Sequence, residues 1–152
     1  MKVRIELCDD GSPDEIIIRC GRVDDTIQKI QQYIQDGTAQ ARSLIFYKNQ
    51  QEFYFPVEQV LFFETEGEHI FAHTERDAYR IKHRLYELEE LLPRYFLRAS
   101  KSTILNSRRV YSITKNLTAS SLVTFRNTHK HVYVSRKYYQ QLRQLMRKDN
   151  FL

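Results

Sequence analysis

The chain has 152 residues, 41 % of them hydrophobic, with 10 Tyr, 9 Phe, no Trp, 4 Gly, 3 Pro and a formal net charge of +5. That length allows one domain, or one domain with a small appendage, and the sparse Gly and Pro exclude a low-complexity chain or a linker array. No apolar run approaches the ~20 residues of a membrane span and the start MKVRIELCDDG lacks a signal-peptide core, so a soluble, cytoplasmic protein is expected.

Residues 2–8 alternate charged and apolar side chains (Lys2, Val3, Arg4, Ile5, Glu6, Leu7), the period of a half-buried strand. Asp9–Asp14, with Gly11 and Pro13, reads as a turn, and Ile16–Ile18 as a second short strand. Val23, Ile27, Ile30 and Ile34 then recur at helical spacing; Asp24 or Asp25 caps the start and Gly37 the end. Residues 1–41 are therefore expected to form a β–β–α leader with a thin core, joined to the rest through the polar stretch Thr38–Ser43. In such a hairpin Cys8 lies by the turn and Cys20 at the far end. The two cysteines are then free thiols in a reducing compartment, with a redox switch as the alternative.

From Leu44 the texture changes to short strands: LIFYK, EFYF, VLFFE, HIFAHT and YRIKH. Arg84–Leu92 reads as a brief helix with Leu85, Leu88, Leu91 and Leu92 on one face, stopped by Pro93. Strands resume with FLRA, TIL, RVYSI, LVTF and VYV. A closing helix follows, capped at Ser135, with Tyr138, Leu142, Leu145 and Met146 as its buried stripe. Residues 42–152 thus form a mostly β module of antiparallel strands, and the whole chain is α+β.

Charge is segregated along this layout. Residues 1–42 hold six basic and eight acidic side chains and residues 43–93 hold five and ten, but from Arg94 onward there are thirteen Lys and Arg and one acid, Asp149. An ordinary solvated surface mixes signs; a block of this kind is the footprint of a protein that docks on a polyanion. Interleaved Phe, Tyr, Ile and Val mean that the block folds.

Signals for catalysis are poor. The four Gly are scattered and build no phosphate loop, and no Cys-x-x-Cys pair occurs. Glu64, Glu66, Glu68, His69 and His73 have metal-ligand chemistry, yet His69 and His73 on one strand lie about 13 Å apart, too far to share an ion. No enzyme activity, metal, cofactor or small-molecule substrate is expected. The run IELCDDG resembles the first strand of a two-component receiver domain, but the ~40 residues before the β module are far short of a receiver, so Asp9 and Asp10 read as turn residues.

Signals for nucleic acid are good. RYFLRASKSTILNSRRVYSI places Arg94, Arg98, Lys101, Arg108 and Arg109 around two strands, with Ser100, Ser102 and Asn106 as neutral donors for phosphates. HVYVSRKYY sets Arg136 and Lys137 in the first turn of the last helix, where like charge is unfavourable unless an anion arrives.

These stretches resemble the LytTR-type DNA-binding domain. The matching features are the strand running into FFE, the F-x-R-x-S-K-S-x-x-x-N run at Phe96–Asn106, and the closing V-S-R-K-Y before a helix, over about residues 44–148. The resemblance implies a bacterial transcription regulator built almost wholly of strands, which inserts loops into successive major grooves and binds paired direct repeats. Carried over, it points to three loops: Glu68 and His69 in the turn at Gly67–His69; Ser100, Lys101 and Ser102, with Arg98 leading in; and Arg136 with Lys137. Lys101 and Lys137 are expected to reach base edges, Arg98 and Arg136 to hold phosphates, and Asn106 either to bind DNA or to shape a turn. Receiver-bearing members are commoner. This chain is similar to short members with a β–β–α leader, which implies a membrane-protein partner that restrains activity. The leader is then a homodimerisation or partner-binding element, or a cap over one end of the sheet. We expect homodimerisation through residues 1–37, because the helix stripe needs a surface to bury against.

Double-stranded DNA is accordingly the expected partner. The alternatives are a non-specific nucleic-acid or RNA-binding module, and a basic protein–protein or membrane-surface module.

Overall fold

The computed structural model describes residues 4–7, 11, 15–39 and 44–149. It divides into two compact units, Met1–Ile34 and Gln35–Leu152.

In the first unit the described residues hold one regular element, the start of helix α1 (Asp25–Ala39). Asp24 is the cap: its Oδ1 accepts from the Ile27 N–H at 3.0 Å and its carbonyl from the Gln28 N–H at 3.0 Å. The helix runs through Gly37 to Ala39 instead of stopping there. Ile27, Ile30 and Ile34 are half-buried, whereas Val23 is exposed. The two strands expected before it form no ladder among the described residues, and Ile5, Leu7, Ile16 and Ile17 are all exposed. A two-stranded ribbon with no layer packed on it is marginal, and alternation alone does not supply that layer. Cys20 is an exposed free thiol; Cys8, Asp9, Asp10 and linker residues 40–43 lie outside the described residues.

The second unit is two antiparallel sheets. A seven-stranded sheet has the order β2-β1-β5-β4-β3-β7-β6. Its strands are β1 (Phe46–Lys48), β2 (Gln51–Phe53), β3 (Phe62–Glu66), β4 (His69–His73), β5 (Ala78–Ile81), β6 (Phe96–Ser100) and β7 (Thr103–Asn106). A three-stranded sheet follows in the order β10-β9-β8, from β8 (Val110–Thr114), β9 (Ser121–Phe125) and β10 (His131–Val134). Helix α2 (Leu85–Leu91) follows β5, and α3 (Arg136–Asp149) follows β10. Most of the strands read from LIFYK to VYV therefore exist, and α2 ends before Pro93 as its sequence requires.

Strand alternation sends side chains of the large sheet to two cores. Phe63, Ala72, Ile81 and Ile104 join Leu85, Leu88 and Leu92 of the α2 region in one. Phe62 and Leu105 point the other way and join Val123, Phe125, Val132, Val134 and Leu142 of the small sheet and α3. The corner between the sheets is a buried polar device. Asn106 donates its Nδ2 to the Val60 carbonyl at 2.9 Å and accepts at Oδ1 from the Arg108 N–H at 3.0 Å. Ser107 donates its hydroxyl to the Tyr95 carbonyl at 2.7 Å. Together they hold a 3₁₀ turn, Ser107–Arg109, that carries the chain from β7 to β8. At another seam Lys130, just before β10, donates its ammonium to the Thr74 and Asp77 carbonyls at 2.9 and 2.6 Å.

Candidate nucleic-acid interface

Three segments with the composition expected of a DNA contact sit at strand ends. The first joins β3 to β4, where Glu66 pairs with His69 and Gly67–Glu68 make a two-residue turn. Gly67 has φ +62° and Glu68 does not share the positive φ, the pattern of a II′ hairpin turn whose first central position favours Gly. Glu68 and His69 are both exposed.

The second joins β6 to β7 through Lys101–Ser102. Its backbone is tied down from three sides. The Thr65 N–H of β3 donates to the Ser102 carbonyl at 2.9 Å, the Ser102 N–H donates to Ser100 Oγ at 3.2 Å, and Arg98 Nη2 donates to the Lys101 carbonyl at 3.2 Å. These bonds satisfy the turn internally and leave the Lys101 side chain exposed. Arg98 itself is only 20 % exposed and lies 3.7 Å from a Glu89 carboxylate oxygen. A guanidinium so placed supports the turn from below. Asn106 is buried with both ends of its amide bonded, as the turn-shaping alternative expected for it requires.

The third segment opens α3. A bulge in β6 between Arg98 and Ser100 takes Ala99 out of the β7 register, and the Ala99 carbonyl accepts from the Ser135 N–H at 2.8 Å. The Ser135 carbonyl in turn accepts from the Tyr138 and Tyr139 N–H groups at 3.0 and 3.1 Å, which starts the helix. Ser135 therefore stands at the cap position, and Arg136 and Lys137 are exposed in the first turn. One backbone bond thus couples the Ser100–Ser102 turn to the Arg136–Lys137 turn.

The first two segments line one open groove of about 750 Å³, with Gly67, Glu68, His69, Arg98 and Lys101 on its walls. Arg136 and Lys137 line a separate hollow with Lys115 and Tyr139. The large groove also holds Arg80, Lys82 and Arg84, which sequence reasoning did not single out. Their signal was present: YRIKHR places basic residues at every second position. It was hidden because the surrounding block is acidic overall. Conversely, Arg108 and Arg109 of the basic run are engaged by the protein. The Arg108 guanidinium stacks 4.0 Å from the Tyr95 ring centre and Arg109 pairs with Glu75.

Beside the first turn lies a second constellation. The His73 ring stacks on Phe62 with centres 4.4 Å apart, and its Nε2 is 3.2 Å from a Glu66 oxygen and 3.9 Å from a Glu64 oxygen. Burial, with Lys130 nearby, holds the imidazole below its ordinary pKa despite the Glu66 contact. Burial and then the Glu66 charge push the Glu64 carboxyl up. These three groups converge because β3 and β4 are paired; His69, at the far end of β4, is not part of the cluster.

The fold agrees with known proteins. Residues 50–147 match the LytTr DNA-binding domain family. A solved LytTr DNA-binding domain from Bacillus cereus superposes with a TM-score of 0.62 and 24 % identity, covering 68 % of this chain and 95 % of that one. Uncharacterized HTH-type transcriptional regulators of Staphylococcus aureus, from strains NCTC 8325 / PS 47 and COL, are each 25 % identical over 144 residues, 95 % of this chain and 97 % of theirs. That similarity spans the leader as well as the module. Among the described residues no two helices follow one another as a helix-turn-helix, since β6 to β10 separate α2 from α3, and no helix is long and apolar enough to cross a membrane. The matched family is a DNA-binding domain of transcription regulators and not a class of enzyme: this chain belongs to the LytTr DNA-binding domain family.

Proposed function

We propose that the protein is a sequence-specific transcription regulator of the bacterial cytoplasm that reads duplex DNA through turns instead of a recognition helix. The observation that carries this reading is the Lys101–Ser102 turn: its backbone is held by Thr65, Ser100 and Arg98, and its lysine is left exposed beside a groove lined by Arg80, Lys82 and Arg84. A preorganised cation on a rigid sheet is what base-edge contact requires. Lys101 and Lys137 then read bases, with His69 and Glu68 at the neighbouring turn. Ser100 and Ser102 lie beside Lys101, and Arg136 takes phosphate. Arg80, Lys82 and Arg84 extend the phosphate track.

The leader supports a second part of the proposal. Ile5, Leu7, Ile16, Ile17 and Val23 of the leader are exposed, and a partner surface would give them the burial their pattern lacks. Homodimerisation through residues 1–37 would cover them and set two modules on direct repeats about one helical turn apart. A membrane-protein partner that competes for the same surface would restrain the regulator.

Fluorescence anisotropy on duplexes selected from a random pool tests the reading. The expected result is a log K against log salt slope of about −5 to −7, from ~6–8 phosphate contacts, and at least ~10³-fold preference for the selected duplex. A slope near zero removes DNA as partner. A steep slope without preference leaves a non-specific nucleic-acid module.

A further inference from the structure

We propose that Glu64, Glu66 and His73 form a binding site for a divalent transition-metal ion of the zinc type at the root of the β3–β4 turn. The donor atoms of the three side chains lie within 4.8 Å of one another. Bonds of ~2.0–2.2 Å to imidazole and carboxylate place neighbouring donors of a tetrahedral ion roughly 3.3 Å apart. The 3.2 and 3.9 Å separations from His73 Nε2 already approach that spacing, so small torsions of two glutamates complete it.

Two further features favour an ion over a simple surface cluster. The His73 side chain is 14 % exposed and clamped by stacking on Phe62, so its Nε2 is presented in one direction. Lys130 donates its ammonium to the Thr74 and Asp77 carbonyls instead of to these carboxylates. Two carboxylates thus converge on one imidazole, an arrangement whose repulsion a divalent ion removes. One nitrogen with two carboxylate oxygens suits zinc, cobalt or nickel better than magnesium or calcium, which take all-oxygen shells. A water completes the shell, as at other three-ligand sites. When the ion binds, Nε2 donates its lone pair and the ring proton resides on Nδ1.

The site has a consequence that rests on the proposed DNA reading. Glu66 pairs with His69 directly across the Gly67–Glu68 turn. Two negative charges at that position repel a phosphate backbone, and a bound ion cancels them. Zinc is therefore expected to tighten DNA binding about two- to tenfold at low salt.

Calorimetric titration of zinc chloride into the full, untagged, chelator-treated chain tests the site without DNA. The expected result is one saturable site, absent with magnesium chloride and retained in Cys20→Ser. Loss of an outer-shell partner already costs ~10–100-fold in metal affinity, so Glu66→Gln and His73→Ala are each expected to lose more than tenfold. Glu66 is half exposed, so Glu66→Gln leaves intact the His73–Phe62 stacking that His73→Ala removes. Absence of saturable zinc binding, or a Glu66→Gln variant that binds as tightly as the wild type, overturns the site. Anisotropy with and without zinc then tests the coupling. An unchanged DNA affinity at saturating zinc, or an equal gain in Glu66→Gln, overturns that part, whereas a chain that binds no DNA still yields a readable titration.

Discussion

The β module and the leader are built from similar apolar side chains, yet they spend them differently. In the module, Phe46, Phe63, Leu61 and Leu88 reach full burial because each sheet face meets a second layer, α2 on one side and the small sheet with α3 on the other. In the leader, Ile5 is 84 % and Leu7 95 % exposed, although their alternation is as regular as that of any strand in the module. A strand-like pattern states which face would be buried; only a covering layer makes the burial happen. The module has its own layers, whereas Ile5 and Leu7 of the leader meet none among the described residues.

The largest test of this contrast is stability. Phe63→Ala is expected to cost about 3–5 kcal/mol at any concentration, the range for aromatic truncation in a packed core, whereas Leu7→Ala stays within about 0.5 kcal/mol where the chain is dilute and monomeric. Urea unfolding at micromolar chain measures both. A Leu7→Ala loss that grows with protein concentration would show the leader buried in a dimer, and a concentration-independent loss as large as that of Phe63→Ala would break the contrast.

A second test separates the two kinds of polar residue within Phe96–Asn106. Asn106→Ala leaves the Val60 carbonyl and the Arg108 N–H without their partner, and is expected to cost about 1–3 kcal/mol of stability with unchanged sequence preference. Lys101→Ala is expected to do the opposite: stability unchanged, and about 1–3 kcal/mol lost in discrimination between the selected duplex and one altered at the contacted base. Equal loss on all duplexes would make Lys101 a phosphate contact.

Lys82→Ala probes the groove that the charge sums hid. It should weaken all duplexes alike and make the salt slope shallower by about 0.9, one phosphate contact. An unchanged slope would confine the DNA track to the later basic block.

The smallest expected effect is on pH dependence. His73 has its pKa lowered from 6.5 on folding. The unfolded chain therefore takes up a proton first as pH falls, and stability declines from about pH 6.5 down to the folded value. Glu64, raised from 4.5, acts in reverse: the stability it contributes is complete below 4.5 and is lost as pH rises through its folded value. Both groups face Glu66; Lys130, just before β10, also acts on His73, and His131, at the start of β10, acts on Glu64. His73→Gln should flatten the decline just below pH 6.5 relative to the wild type, read as the difference between two series of urea midpoints. Parallel midpoints would mean that His73 titrates as it does in the unfolded chain.

Much of the module could be read from local pattern. The strands from LIFYK to VYV, the stop of α2 before Pro93 and the cap position of Ser135 all follow from alternation, proline geometry and capping chemistry, which act over a few residues. So did the exposure of Lys101, Arg136 and Lys137. What pattern could not supply was anything decided across the sheet. The division into two sheets depends on Asn106 and Ser107 bonding to Val60 and Tyr95, partners 46 and 12 residues away. Arg98 and Lys101 look alike in sequence, and only the position of Arg98 below the turn, beside Glu89, makes one a support of the turn and leaves the other exposed. The sequence by itself determined which residues alternate, where α2 stops and α3 begins, and that the basic residues gather in one late block, because those rest on local sterics and summed charge. The tertiary structure decided which polar groups are buried and bonded and which stay free, and it gathered Arg80, Lys82 and Arg84 beside Lys101, because strand pairing joins residues that no local spacing relates.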